Sequence, residues 1–142
     1  MAADIANVTE PNAGTRAVLI VENHDEVREL IARMVTLQGW RPIKAASIAE
    51  AIDCLRRGGI DAIIADWQLD DGDGEYLLRQ ACGGAPRLEI PTVMISSYAS
   101  PELRALARAA GALDLLEKPF RFEHLTRLLD RQLAALPAPV VA

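Results

Sequence analysis

The fold is decided by the stretch AVLIVENHDEVRELIARMVTLQG, residues 17–39. It opens with an unbroken apolar run, Ala17 to Val21, which is typical of a strand covered on both faces. Apolar residues then recur at the spacing of one helix face: Val27, Leu30, Ile31, Met34 and Val35. Gly39 follows where a helix C-cap is expected. The stretch therefore predicts one buried strand followed by one amphipathic helix.

The same alternation continues along the chain. Further strands are predicted at 42–46, 62–65, 92–95 and 113–116, and helices follow from 48, from about 73, from 101 and from about 122. Two helix starts carry specific signals, a capping box from Ser47 to Glu50 and the pair Ser100-Pro101. Five strands alternating with five helices predict right-handed βαβ units. The fold class is therefore α/β, with a parallel, doubly wound sheet between two helical layers.

The sequence also predicts the packing of one helix and of two large apolar side chains. The third helix is expected to place Tyr76, Leu77 and Gln80 at helical spacing, and Met34 and Trp40 are expected in the core.

Composition narrows the function. The chain has 142 residues, of which 51% are hydrophobic, and this predicts one globular domain over residues 17–135 with polar terminal segments at 1–16 and 136–142. A formal net charge of −5 argues against nucleic acid held by a basic face. Two isolated cysteines predict neither a disulfide nor a zinc site. We find no export signal or membrane span in the sequence, so a cytoplasmic protein is expected.

Polar side chains stand at the predicted strand ends, where doubly wound sheets bind ligands. They are Glu22, Asn23, Asp66, Ser96 and Lys118. Neighbouring parallel strands lie about 4.8 Å apart, so these side chains are expected to converge. Two adjacent carboxylates repel unless a cation lies between them, which favours Mg²⁺ with oxygen ligands. Lys118, one of two lysines among 15 lysine and arginine residues, has the compact charge that suits a phosphoryl oxygen.

Four blocks of sequence carry a family resemblance: VLIVENHDEVRELI, AIIADWQLDDGDG, PTVMISS and LLEKPF. In this order and spacing they resemble the receiver domain of two-component response regulators, from Ala17 to about Leu133. The resemblance implies a flavodoxin-like (βα)5 fold with strand order 2-1-3-4-5. It also implies an aspartate that accepts a phosphoryl group from a sensor histidine kinase or a histidine phosphotransfer protein.

The resemblance assigns the acidic residues. Asp66 matches the phosphoacceptor. Glu22 and Asn23 match the acidic pair that holds Mg²⁺, together with Asp66 and the backbone carbonyl of Gln68.

The resemblance also assigns the remaining site residues and a mode of signalling. Ser96 matches the hydroxyl that binds the phosphoryl group and reorients when it arrives. Lys118 matches the lysine that neutralises it, and the Lys118–Pro119 bond is expected to be cis. Such a receiver catalyses only its own phosphorylation and dephosphorylation, so it is not otherwise an enzyme. It would bind a protein target, as a monomer or weak homodimer.

Three positions depart from the family pattern or vary within it. Asn23 stands where an aspartate is usual, which predicts weaker Mg²⁺ binding and slower phosphorylation. Leu115 replaces an aromatic residue that often switches rotamer, so transmission would need another route. Tyr98 is a hypothetical screen that keeps water from Asp66.

Other notable residues have simpler interpretations. Asp70, Asp71 and Asp73 are interpreted as a solvated acidic loop and Trp67 as a surface or cleft-edge residue. His24 and His124 are interpreted as helix-start residues. Four arginines are interpreted as a solvated face that could contact an acidic partner: Arg104, Arg108, Arg127 and Arg131.

Three functions follow as alternatives. The first is a stand-alone phosphorylatable receiver, since no effector domain follows in the sequence. The second is a phosphorylation-independent adaptor of receiver shape, with a weakened metal site. The third is a phosphohydrolase of the haloacid dehalogenase type, in which a second Asp is expected where Gln68 stands.

Overall fold

Five strands and five helices alternate in the computed structural model, which describes residues 15–82 and 90–137. The strands of the main sheet are β1 (Ala17–Val21), β2 (Arg41–Ala45), β3 (Ala62–Asp66), β4 (Thr92–Ser96) and β5 (Asp114–Glu117). The helices are α1 (Asp25–Leu37), α2 (Ile48–Arg57), α3 (Gly74–Cys82), α4 (Pro101–Ala109) and α5 (Phe122–Ala134). A small antiparallel ribbon, Gln68–Leu69 with Gly72–Asp73, lies between β3 and α3. Most of the predicted terminal segments, residues 1–14 and 138–142, fall outside the described residues.

The main sheet is entirely parallel, with the order β2-β1-β3-β4-β5. This confirms the predicted flavodoxin-like order. Two strands begin and end one residue away from the predicted bounds, β2 one residue earlier and β5 one residue later. Hydropathy alone does not fix a strand end, because the end depends on pairing with the neighbouring strand, as between Ser96 and Glu117.

Each face of the sheet has its own apolar core. Leu19 and Ile63 join the core beneath α2, α3 and α4, whereas Ile20 and Ile64 join the core beneath α1 and α5. Every residue of β1, β3 and β4 is buried. Two-sided burial explains why these strands are apolar throughout and why polar side chains are confined to their ends. Within the described ranges, no helix combines the length and apolarity needed to cross a bilayer.

The buried face of α1 is narrower than predicted. Ile31 and Val35 are buried, but Leu30 is 59% exposed, and Met34 and Trp40 are only half-buried. Leu30 is therefore not a core residue, and Met34 and Trp40 are less buried than predicted. Helix α1 packs mainly against β1 and the edge strand β2, and Leu30 lines a surface groove between α1 and the start of α5.

The buried face of α3 is rotated from the predicted one. Leu77 and Leu78 are fully buried, whereas Tyr76 is 51% exposed and Gln80 is exposed. Grouping Tyr76 and Gln80 with Leu77 was wrong by one residue, which corresponds to about 100° around a helix.

Position 74, the first residue of α3, has no room for a side chain, so a glycine is required there. A Cβ at this position would overlap with the side chains of Met94 and Trp67. Trp67 is only 6% exposed, so its interpretation as a surface or cleft-edge residue was wrong. Its backbone N–H donates to Ile95 at 2.7 Å, and its carbonyl accepts from Gly74 at 2.6 Å. The residue that follows Asp66 is therefore held by both its ring and its backbone.

Helix α2 begins at the predicted signal. The Ser47 hydroxyl accepts a hydrogen bond from the Glu50 N–H at 3.1 Å. The Glu50 carboxylate accepts from the Ala46 N–H at 2.8 Å, one residue before the position expected in a capping box.

The acidic loop after β3 caps two helices. The two carboxylate oxygens of Asp71 accept from the N–H groups of Ile48 and Ala49, at 3.0 and 3.1 Å. Asp73 accepts from the Tyr76 N–H at the start of α3, at 3.2 Å. For these two aspartates the interpretation as a merely solvated loop was wrong, because free N–H groups at a helix start attract carboxylates.

Removal of the Asp71 carboxylate should weaken the fold. We expect Asp71→Ala to lower the free energy of unfolding by about 1 kcal/mol at pH 7. The hydrogen bond from Ile48, assisted by that from Ala49, lowers the pKa of Asp71 in the folded state. Its contribution is therefore present above the unfolded pKa of about 3.9 and is lost as pH falls through the lower folded value.

Urea unfolding at pH 7 and near pH 3 checks this expectation. Asp53→Ala is the matched control, because Asp53 is an exposed α2 residue whose only ion pair in the described chain is a 3.9 Å contact with Arg56. The Asp71 variant should differ from the parent far more at pH 7 than in acid. An equal deficit at both pH values would contradict an ionised cap.

Candidate functional site

The carboxyl ends of the parallel strands place the predicted site residues at one edge of the sheet. Glu22 and Asn23 follow β1, and Asp66 is the last residue of β3. Ser96 ends β4, and Lys118 follows β5. Of these, the structure brings Glu22, Asp66 and Lys118 into direct contact.

The Lys118 ammonium lies between two carboxylates. Its Nζ is 2.8 Å from Glu22 Oε1 and 2.7 Å from Asp66 Oδ2. Glu22 is fully buried and Asp66 is 5% exposed, so neither carboxylate is well solvated. The Lys118 backbone N–H donates to the Ser96 carbonyl at 2.7 Å, and the Lys118–Pro119 peptide is cis, as expected. One partly buried cation thus joins the ends of β1, β3 and β5.

The three charges perturb one another's pKa values. Burial would raise the pKa of Glu22, but hydrogen bonds from Lys118 and His24 outweigh burial and lower it. Burial raises the pKa of Asp66, and hydrogen bonds from Lys118 and the Gln68 N–H offset only part of that effect. Burial would lower the pKa of Lys118, but its bonds to Asp66 and Glu22 raise it. Lys118 is therefore a firmly charged ammonium, and Asp66 is the more basic of the two carboxylates.

Both oxygens of Asp66 have partners. Oδ2 accepts from Lys118, and Oδ1 accepts from the Gln68 backbone N–H at 3.0 Å. Gln68 belongs to the small ribbon, and its own side chain is exposed. Gln68 enters the site through its backbone N–H, and the role of its carbonyl as a metal ligand stays a prediction.

Asn23 presents the two ends of its amide differently. Its Nδ2 donates to Asp70 Oδ1 at 3.4 Å, whereas its Oδ1 is buried without a hydrogen-bond partner in the described chain. A buried oxygen with no partner requires an explanation. Together with the carboxylates of Glu22 and Asp66, it forms an all-oxygen donor set that fits a hard divalent cation. Among the described residues, no three His, Cys, Asp or Glu side chains cluster as a metal site.

Ser96 lies close to the site but is engaged elsewhere. It is 2% exposed, and its hydroxyl donates to the Tyr98 carbonyl at 2.7 Å and accepts from the Tyr98 N–H at 3.1 Å. The Tyr98 side chain is 71% exposed. Screening of Asp66 by Tyr98 stays a prediction.

Two residues that support Glu22 were missed from the sequence. The exposed His24, the N-cap residue of α1, places Nδ1 at 3.0 Å and its backbone N–H at 3.1 Å from Glu22 Oε2. Arg28 donates from Nη1 to the Glu22 carbonyl at 2.9 Å. His24 was correctly placed at a helix start, but its spacing from Glu22 gave no signal of this contact.

The arginines of α4 also differ from expectation. Arg104 Nε donates to the Leu115 carbonyl at 3.3 Å, and Arg108 pairs with Asp114 at 3.1 Å. These two side chains are exposed, as predicted for a solvated face, and they also connect α4 to β5. Arg127 and Arg131 are exposed on α5, as predicted. Leu115 itself is fully buried.

Comparison with known proteins identifies the family. Residues 18–130 match the family described as the response regulator receiver domain. The chain belongs to this family. The receiver is 30% identical over 105 residues to the phosphate regulon transcriptional regulatory protein PhoB of Klebsiella pneumoniae, covering 74% of this chain and 46% of PhoB. It therefore spans about half the length of that relative.

Solved structures agree with this membership. A putative response regulator from Chloroflexus aurantiacus is 28% identical, with a TM-score of 0.77 over 84% of this receiver and 98% of that chain. The chemotaxis response regulator CheY4 of Vibrio cholerae is 25% identical, with a TM-score of 0.75 over 83% and 98%.

The contacts of Lys118 predict a large effect of its removal. In Lys118→Ala, Glu22 and Asp66 would face each other as buried carboxylates without a cation. We expect a loss of about 2 kcal/mol at pH 7, less than the roughly 3–5 kcal/mol of a fully buried pair because Lys118 is partly exposed. The loss should shrink in acid, because the variant's raised carboxylate pKa values favour the folded state only at low pH.

The chain supplies a matched control in its other lysine. Lys44 pairs with Glu29 at 2.9 Å, but both side chains are about half exposed, at 44% and 54%. Lys44→Ala should therefore cost only a few tenths of a kcal/mol. Urea unfolding of both variants in EDTA makes the comparison. Similar losses for the two would show that Lys118 is not stabilising the carboxylate pair.

Proposed function

We propose that this receiver accepts a phosphoryl group on Asp66 from a sensor histidine kinase or a histidine phosphotransfer protein. The observation that carries the proposal is the ammonium of Lys118 held between the buried carboxylates of Asp66 and Glu22. An ion pair that served only to stabilise the fold would need one carboxylate for the one ammonium. Two buried acids around one lysine leave a net negative site that can take up a further cation.

The proposed reaction is an in-line displacement at phosphorus. An oxygen of Asp66 forms a bond to phosphorus as the bond from phosphorus to the donor imidazole nitrogen breaks. The imidazole leaves with the electron pair and takes up a proton, and Asp66 becomes an acyl phosphate. Lys118 neutralises charge on the phosphoryl oxygens, so the chain contributes positioning and electrostatics rather than acid–base chemistry.

Mg²⁺ is the metal that the donor set favours. Glu22, Asp66, the Asn23 amide oxygen and the Gln68 backbone carbonyl would hold it. When bound, the ion would neutralise charge on the phosphoryl group. With a neutral amide at position 23, the direct ligands carry one negative charge fewer than they would with aspartate, which supports the expectation of weaker binding.

The proposed output is a change in protein binding. The Ser96 hydroxyl would exchange its bond to the Tyr98 carbonyl for one to the phosphoryl group, which frees the backbone before α4. Arg104 connects α4 to the Leu115 carbonyl, so a shift of this backbone can reach β5 without an aromatic rotamer. A charge-adding modification that biases one packed element is a known kind of switch. The protein partner is unidentified.

The other functions have less support. A phosphorylation-independent adaptor is favoured by Asn23 and by the buried Leu115, but it gives no role to the paired carboxylates. A dehalogenase-type phosphohydrolase would have a second Asp two residues after Asp66. The chain has Gln68 there, and the Gln68 contact with Asp66 is made by its backbone N–H. We therefore propose that the chain catalyses only its own phosphorylation and dephosphorylation.

Intact mass after incubation with acetyl phosphate and MgCl₂ tests the proposal. We expect the parent to gain the mass of one phosphoryl group and Asp66→Asn to gain none. Asp73→Asn is the control, because it removes a carboxylate from the same loop without touching Asp66. An unmodified parent would favour the adaptor, and a gain that persists in Asp66→Asn would place the phosphoryl group on another residue.

A further inference from the structure

Asn23 and Asp70 form a pair that the proposed function does not use. Asn23 Nδ2 is 3.4 Å from Asp70 Oδ1. A carboxylate only accepts hydrogen bonds, so the amide nitrogen must face Asp70, and the reverse orientation would bring two oxygens together. The amide oxygen is consequently the end that is buried without a partner. Asp70 thus selects which atom of Asn23 is available to a cation.

The position of Asp70 is fixed from both sides. The preceding residue, Leu69, is buried in the core beneath α2, α3 and α4. The following residue, Asp71, is bonded through both carboxylate oxygens to the first N–H groups of α2. An aspartate between two anchored residues is held near Asn23, although its own side chain is exposed.

The charges of the site also point to Asp70. Glu22 and Asp66 share one ammonium, and Asn23 is neutral. Asp70 is the carboxylate that contacts the amide, and it carries no ion pair in the described chain that would neutralise it. Among the described residues, Asp70 does not lie close enough to Glu22 and Asp66 for the three carboxylates to hold one metal ion together. A direct bond to the same ion is therefore not indicated. Mg²⁺ usually keeps several water ligands, and a carboxylate at the rim can accept hydrogen bonds from them.

We propose that Asp70 is a positioning residue of the metal site. It orients the Asn23 amide so that the oxygen faces the cation, and it supplies through metal-bound water the negative charge that the amide lacks. This inference rests on the proposed function, because it concerns Mg²⁺ at that same site.

A double-mutant cycle with Mg²⁺ as the titrant tests the proposal. Isothermal titration calorimetry of the full chain with MgCl₂ at low ionic strength gives the dissociation constant without any phosphodonor. The variants are Asp70→Asn, Asn23→Asp and the combination of both. Asp73→Asn is the matched control, since it removes the same charge from the same loop while its carboxylate caps α3.

We expect Asp70→Asn to weaken Mg²⁺ binding more than tenfold. One charge about 6 Å from a divalent ion in water accounts for about tenfold, and loss of the hydrogen bond that orients the Asn23 amide adds to it. Asp73→Asn should change it less than about threefold, because the Asp73 carboxylate accepts from the Tyr76 N–H at the start of α3 and does not contact Asn23. In the Asn23→Asp background, loss of Asp70 should cost only the charge effect, about tenfold or less, because no amide remains to be oriented. The combined variant, which only moves the charge from position 70 to position 23, should bind at least as tightly as the parent.

The outcomes separate this proposal from the proposed function. If Asp70→Asn binds Mg²⁺ like the parent, or if the two substitutions are simply additive, the role of Asp70 is overturned while phosphorylation of Asp66 stands. A parent that binds no Mg²⁺ overturns the role of Asp70 as well. If that parent also gains no phosphoryl group from acetyl phosphate, the proposed function fails with it.

Discussion

The ammonium of Lys118 is the constraint on which the site depends. Two carboxylates, one fully buried and one nearly so, end neighbouring strands and would repel each other without it. The fold cannot move them apart, because β1 and β3 are paired residue by residue up to the strand ends. The ammonium therefore stabilises this edge of the fold, and it is also the group that would neutralise charge in the proposed reaction. Any ligand that draws Lys118 away from Glu22 or Asp66 must itself supply compensating charge.

The same site is stabilised through the loop after β3. This loop binds Asp66 through the Gln68 N–H, contacts Asn23 through Asp70 and caps α2 through Asp71. A stretch of four residues thus joins two strand ends to a helix on one face of the sheet. The aspartates of this loop, which the sequence suggests are simply solvated, each make a different contact with the rest of the structure. The arrangement explains how an exposed loop can keep a defined geometry beside a polar site.

Much of the fold was predictable because its signals are redundant. Apolar runs, helix caps and strand-end polar residues all indicated the same βαβ alternation, and the resemblance to receiver domains implied the strand order. Asp66, Glu22 and Lys118 could be grouped in advance because parallel strands bring their carboxyl ends to one edge.

What could not be predicted depends on packing in three dimensions. The burial of Trp67 requires the space left by Gly74, and that fit has no sequence period. The Asp71 cap joins residues 23 positions apart, and the Asn23–Asp70 contact joins residues 47 positions apart. The exposure of Leu30 follows from its place on a surface groove between α1 and the start of α5. Hydrophobic spacing describes a helix face but not what lies opposite it.

Gly74 carries a consequence for how this protein can vary. No side chain fits at that position without displacing Trp67, and Trp67 follows Asp66 directly. Mutational tolerance at residue 74 is therefore limited by the residue directly after Asp66 rather than by backbone conformation. A larger side chain at Met94, which pairs with Ala65 in the sheet, would press on the same contact, so Gly74, Trp67 and Met94 constrain one another beside the functional edge.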